Sequence, residues 1–125
     1  MILEYPVRYL QLSDFDSNGN LINPSIPRNK PIVVMIQADF CGYCTQAKPS
    51  YQEFANKHSD KVFVATIQGD GKRQGEPELS SLIKSGKIMP SFSGYPSYFA
   101  IVNGQKIPHN GGRSLEELEA FVNTL

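Results

Sequence analysis

Ile32-Val33-Val34-Met35-Ile36-Gln37-Ala38-Asp39-Phe40-Cys41-Gly42-Tyr43-Cys44 decides the fold of this chain. Its opening run, Ile32 to Ile36, is continuously apolar, rich in β-branched residues and of strand length, which is the pattern of a central strand buried on both faces. From Cys44 onward Ala47, Tyr51, Phe54 and Ala55 recur at helical spacing, with Lys48, Gln52, Asn56 and Lys57 on the other faces. An amphipathic helix therefore follows the strand, interrupted at Pro49. Both cysteines fall where a buried strand gives way to a helix.

Working outward, Val62 to Ile67 is a second strong strand. A strand, helix, strand unit of this length argues for parallel pairing through a right-handed crossover. Upstream, Val7, Tyr9 and Gln11 alternate weakly with Leu10 and Leu12, giving a short strand before the turn-rich run Asp14 to Asn20. Asn23 to Pro31 holds prolines at 24, 27 and 31 and reads as an extended connection. Downstream come a polar loop from Gly69 to Gly75, a short helix from Pro77 to Lys84 and an irregular stretch from Ser85 to Gly94. Ser97 to Val102 and Gln105 to Pro108 then flank Asn103-Gly104, a dipeptide suited to a tight hairpin because both central residues need positive φ. Ser114 with Glu117 forms a capping box ahead of Leu115, Leu118, Phe121, Val122 and Leu125, one face of a last helix. The order is strand, strand, helix, strand, helix, strand, strand, helix, without internal repeat or linker. The expectation is one α/β domain over residues 1–125, with 1–30 as an N-terminal strand and loop extension and 31–125 as the core.

A chain of 125 residues with 40% apolar content has material for one hydrophobic core. Its 12 basic and 12 acidic residues balance, which argues against the long-range attraction that nucleic-acid and anionic-membrane binders rely on. Glu4, Pro6 and Arg8 stand where a signal peptide would need an apolar run, and Ile32 to Ile36 is too short to span a bilayer. A cytoplasmic monomer is the expectation.

Two cysteines cannot build a disulfide framework, and in a reducing compartment a C-x-x-C pair points to catalysis or metal binding. No second C-x-x-C or histidine pair supplies the missing ligands of a zinc site, so no metal is expected. At the start of a helix, free backbone N–H groups and the positive dipole end face the Cys41 sulfur and favour its thiolate. Cys44, further inside the helix, stays protonated. The asymmetry suits thiol–disulfide exchange: Cys41 attacks a substrate disulfide, and Cys44 then displaces the substrate from the mixed disulfide.

These residues resemble the thioredoxin superfamily in Ala38-Asp39-Phe40-Cys41-Gly42-Tyr43-Cys44, in Pro49 five positions beyond the second cysteine, in Tyr95-Pro96-Ser97, in Asn103-Gly104 and in Gly111-Gly112. The resemblance spans about residues 30 to 125, its separated signals agreeing in order and spacing. It implies the thioredoxin fold, a central mixed sheet flanked by helices, with the N-terminal strand as an addition. It implies a cis peptide bond before Pro96, with Pro96 against the cysteine pair and the backbone of Tyr95 offered to an extended substrate. Pro49 would kink the helix without ending it. By the same resemblance, Phe40, Gly42, Tyr43, Tyr95 and Pro96 would form the substrate surface beside the catalytic pair Cys41 and Cys44. Partners would be protein disulfides and an electron donor such as a thioredoxin reductase or glutathione. No cofactor beyond the Cys41-Cys44 disulfide is needed.

Three departures stand out. Met35 occupies the place, six residues before the first cysteine, where thioredoxins carry a buried carboxylate thought to handle the resolving thiol's proton. Asp39 is the nearest acid in sequence. Phe40 replaces the usual tryptophan, and Tyr43 replaces the proline between the cysteines. The Gly-Tyr pair resembles that of bacterial disulfide isomerases, which leaves reduction and isomerase or oxidase directions open. A redox-inert interaction module with the same fold is the alternative from another class. Asp14 to Gly19 matches half of a calcium loop but reads as a polar hairpin turn. Tyr98 and Phe99 alternate to opposite faces as core.

Overall fold

The computed structural model describes residues 1–125. All six residues of strand β2 (Ile32–Gln37) are buried, the state of a strand with neighbours on both edges and layers on both faces. It runs parallel to β3 (Phe63–Gln68) and antiparallel to β4 (Ser97–Val102), with Met35 opposite Thr66 on one side and Tyr98 on the other. A two-residue strand β1 (Arg8–Tyr9) adds in parallel to the far edge of β3, and β5 (Gln105–His109) pairs antiparallel with β4. The sheet order β1-β3-β2-β4-β5 is that of one mixed sheet. The hairpin between β4 and β5 turns through Asn103 at φ 52° and Gly104 at φ 78°, the doubly positive turn read from that dipeptide.

Helices α1 (Gly42–His58) and α3 (Leu115–Asn123) cover one face, where Ala47, Tyr51, Phe54 and Leu118 pack with Val33 and Met35. Helix α2 (Glu76–Lys84) covers the other, where Leu79 and Ile83 meet Ile32, Val34 and Ile36. Tyr98 belongs to the first cluster and Phe99 to the second, as alternation requires. Pro49 lies inside α1, which continues to His58. No helix is long and apolar enough to cross a membrane.

The elements follow the expected order, with boundaries shifted by about one residue at β2, β3 and α2. Two local expectations change. The capping box of α3 is half made: Ser114 Oγ accepts from Glu117 N at 3.2 Å, but the Glu117 carboxylate accepts from Gly112 N at 3.4 Å rather than reaching back to the cap. Lys48, placed on a polar face by helical periodicity, is only 5% exposed. The N-terminal segment explains this, since Leu3 and Val7 pack into the α1 side of the core and Gln52 brackets Glu4, accepting from its N–H at 2.7 Å and donating to its carbonyl at 3.0 Å.

The stretch between β1 and β2 contains a 3-10 turn over Leu12–Asp14 that periodicity did not announce. Buried Asp14 organises it, accepting from Gln11 N at 2.7 Å and Asn23 Nδ2 at 2.7 Å. The calcium-loop look-alike is a polar turn: Asp16 N donates to Asn20 O at 2.9 Å, and Phe15 bridges Leu21.

Candidate active site

β2 ends at Gln37, and the chain crosses Ala38, Asp39 and Phe40 before entering α1. Asp70, just past β3, fixes this crossing by accepting from Asp39 N at 2.9 Å and Phe40 N at 3.4 Å. Cys41 is the N-cap of α1, in extended backbone, with the Cys44 N–H donating to its sulfur at 3.1 Å. A cap sulfur takes the role that a hydroxyl or carboxylate oxygen usually fills at a helix start. It thereby gains a donor suited to a negatively charged sulfur.

The second wall comes from the segment before β4. The Tyr95–Pro96 bond is cis, as the family resemblance implies, and the Cys41 thiol donates to the Tyr95 carbonyl at 3.5 Å. The Tyr95 ring lies over Gly69, whose carbonyl accepts from the tyrosine hydroxyl at 3.4 Å, and a Cβ at Gly69 would stand 2.4 Å from that ring. Phe40 packs edge-on to Tyr95, with ring centroids 5.6 Å apart. A second cis bond, Tyr5–Pro6, lies in the N-terminal segment.

The two thiols differ in setting. Cys44 is fully buried, whereas Cys41 lies at the edge of exposure beside Phe40 and Tyr43, which are 73% and 63% exposed. Burial first, and then the hydrogen bond to Cys41, push the Cys44 thiol up to about 12; the Lys48 charge acts in the opposite direction. Both cysteines are free thiols in this structure. Of the residues read as substrate-facing, the structure therefore gathers Phe40, Gly42, Tyr43, Tyr95 and Pro96 around Cys41.

The family model described as Thioredoxin matches residues 17–124. The chain belongs to the thioredoxin family. Thioredoxin-like protein 453L of Invertebrate iridescent virus 6 is 43% identical, the match covering 95% of this chain and 94% of that protein. Thioredoxin of Pongo abelii is 30% identical, over 78% of this chain and 81% of its own length. Among solved structures, Malassezia sympodialis thioredoxin, Mala s 13, superposes with a TM-score of 0.66 at 18% identity, over 99% of this chain and 94% of that one, a likeness of fold. At the level the family fixes, this thioredoxin-like chain is a thiol–disulfide oxidoreductase.

Three contributors escaped sequence reading. Asp70 looked like one more residue of a polar loop. Arg113 places its guanidinium 5.1 Å from the centre of the Tyr43 ring, a cation–π contact between residues seventy positions apart. Gln37 lies fully buried at the end of β2, with neither side-chain amide atom hydrogen-bonded. Asp39, the nearest acid in sequence, is exposed and approaches Lys48 at 3.9 Å; none of its hydrogen bonds reaches a sulfur. No cluster of three or more His, Cys, Asp or Glu side chains converges as a metal site.

Proposed function

We propose that this chain reduces or exchanges disulfides in protein substrates through a Cys41/Cys44 dithiol–disulfide cycle. The observation that carries the reading is the Cys41 sulfur at the N-cap of α1, with the Cys44 N–H 3.1 Å away and the Tyr95 carbonyl 3.5 Å away. The Cys41 thiolate attacks one sulfur of a substrate disulfide, forming a mixed disulfide and releasing the other substrate sulfur as a thiolate that takes up a proton. Cys44 then attacks the Cys41 sulfur, closing the intramolecular disulfide and freeing the second substrate thiol. An extended substrate segment lies along Tyr95 and Pro96, its backbone N–H directed at the Tyr95 carbonyl, with Phe40, Gly42 and Tyr43 as the surface beside it. The chain works as a monomer in a reducing compartment such as the cytoplasm. It needs no bound cofactor, and a thioredoxin reductase or glutathione returns two electrons to the disulfide.

Equilibrating the protein in glutathione redox buffers, with acid quenching and thiol counting, tests this reading. A potential near or below about -250 mV supports the reductive direction, while one above about -200 mV assigns an oxidant or isomerase. Absence of any intramolecular disulfide would overturn the catalytic cycle and favour an interaction module.

A further inference from the structure

Resolution of a mixed disulfide requires Cys44 to lose its proton inside the core, where an uncompensated charge is costly. The α1-facing side of β2 offers no help: Val33, Met35 and Gln37 are all uncharged and all buried. On the helix side, Lys48 follows Cys44 by four residues, so the two share one face of α1 a turn apart. Lys48 is itself 5% exposed, an unusual state for a lysine. Its ammonium is held by two contacts, donating to the Met1 carbonyl at 3.3 Å and lying 3.9 Å from the Asp39 carboxylate. Lys48 and Asp39 also line a groove of about 1090 Å³ beside Phe40 and Asp70, so the Lys48 ammonium has solvent on the side away from Cys44.

We propose that Lys48 supplies the positive charge against which Cys44 ionises when it resolves the mixed disulfide. Lys48 is a positioning residue, since it acts through Cys44 and touches no substrate. The step is balanced within the complex: the Cys44 proton passes through water, the Cys44 thiolate forms a bond to the Cys41 sulfur, the bond from Cys41 to the substrate sulfur breaks, and the departing thiolate takes up a proton. Asp39 draws on the same ammonium from the solvent side and so weakens its pull on Cys44. The effect of Lys48 on Cys44 has the matching sign, opposing the upward push of burial. Cys41 lies against Cys44, and Tyr95 and Tyr98 feel its charge; further out, Asp70 holds the backbone of Asp39 and Phe40, Arg113 lies over Tyr43, and Tyr51 packs against Tyr98. Burial raises all three tyrosines, which stay neutral across the neutral range.

This inference rests on the proposed cycle, and a two-phase reaction separates the two. Reduced protein is mixed with 5,5′-dithiobis(2-nitrobenzoate) in a stopped-flow cell: attack by Cys41 releases one nitrothiobenzoate, and resolution by Cys44 releases the second. In Lys48→Met the second phase should slow about tenfold at pH 7, with its pH midpoint raised by about one unit, as loss of a nearby opposite charge requires. Lys48→Arg should restore the second phase to within about threefold. Asp39→Asn, which removes a surface carboxylate and spares the fold, should accelerate the second phase. A wild-type second phase and pH profile in folded Lys48→Met would overturn the role of Lys48. Should Lys48→Met fail to fold, an unchanged or slower second phase in Asp39→Asn would overturn it instead. Release of no nitrothiobenzoate at all by the parent protein would take down the proposed cycle as well.

Discussion

On the α2 side of the sheet, Ile32, Val34, Ile36, Ala65, Ile67, Leu79, Ile83 and Phe99 make an apolar core. The buried polar group beside it, Asp14, has both carboxylate oxygens hydrogen-bonded within the N-terminal turn. The α1 and α3 side encloses Gln37, Lys48, Thr66 and the hydroxyls of Tyr51 and Tyr98, with buried Cys44 on the same helix α1. Some of these are satisfied: Tyr51 donates toward the carbonyls of Val33 and Ala65, at 3.1 and 2.7 Å, and Thr66 donates to Met35 O at 2.8 Å. Others, the Gln37 amide and the Tyr98 hydroxyl, are not. Buried polar groups without partners destabilise a fold. The contrast therefore teaches that one face is packed almost wholly from apolar side chains, while the other gives up some stability to polar groups buried on the side where Cys44 lies.

The pH dependence of the reduced form sharpens this contrast most. Cys44 is held at about 12 in the folded chain against 9.0 for an ordinary thiol, so the folded state keeps this proton where the unfolded state has lost it. Its contribution is intact below about pH 9 and is lost progressively as pH rises toward 12. The oxidised protein has no such thiol, whereas burial raises Tyr51 and Tyr98 in both forms, Tyr98 with a smaller upward push from the two cysteines that oxidation removes. Urea unfolding of reduced and oxidised protein between pH 8 and 11 should show the reduced form losing stability faster; parallel curves would refute the assignment.

On the opposite face, Ile83→Ala should cost about 2 to 5 kcal/mol in urea midpoints while leaving the alkylation rate of Cys41 in the folded protein unchanged. A change in that rate would show that the two faces do not divide stability from chemistry. Tyr51→Phe removes the buried hydroxyl that joins the Val33 and Ala65 carbonyls under α1 and should cost about 1 to 3 kcal/mol; a neutral result would mean that the strand pairing alone satisfies those carbonyls. The smallest effect belongs to Ser114→Ala, which removes the α3 cap for about 1 kcal/mol, measured by thermal melting.

Sequence reading succeeded where the determining contacts are local. The apolar run of β2, the Asn103-Gly104 turn and the helical spacing after Cys44 each carry their signal within a few residues, and so do the cysteine pair and the segment ahead of β4. Lys48 was misplaced because the amphipathic pattern of α1 says nothing of what covers its polar side. The partner that covers Lys48 is the Met1 carbonyl, 47 positions away. Asp70 serves the cysteine loop from 31 positions away, and Arg113 finds Tyr43 only once α3 has docked. Helical and strand periods describe which way a side chain points; they carry no information on which distant segment arrives there.

Gly69 has a consequence in the mechanical sense. The Tyr95 ring rests on its backbone, and Tyr95 also presents the carbonyl facing Cys41. A hydrogen atom in place of a methyl group at position 69 is thus the tolerance of a hinge bearing, setting how near one jaw of the groove closes on the other. Alanine there would act as a shim: it would wedge the ring outward, tilt the carbonyl off the sulfur and widen the gauge for whatever strand is threaded between them, with no change to either cysteine.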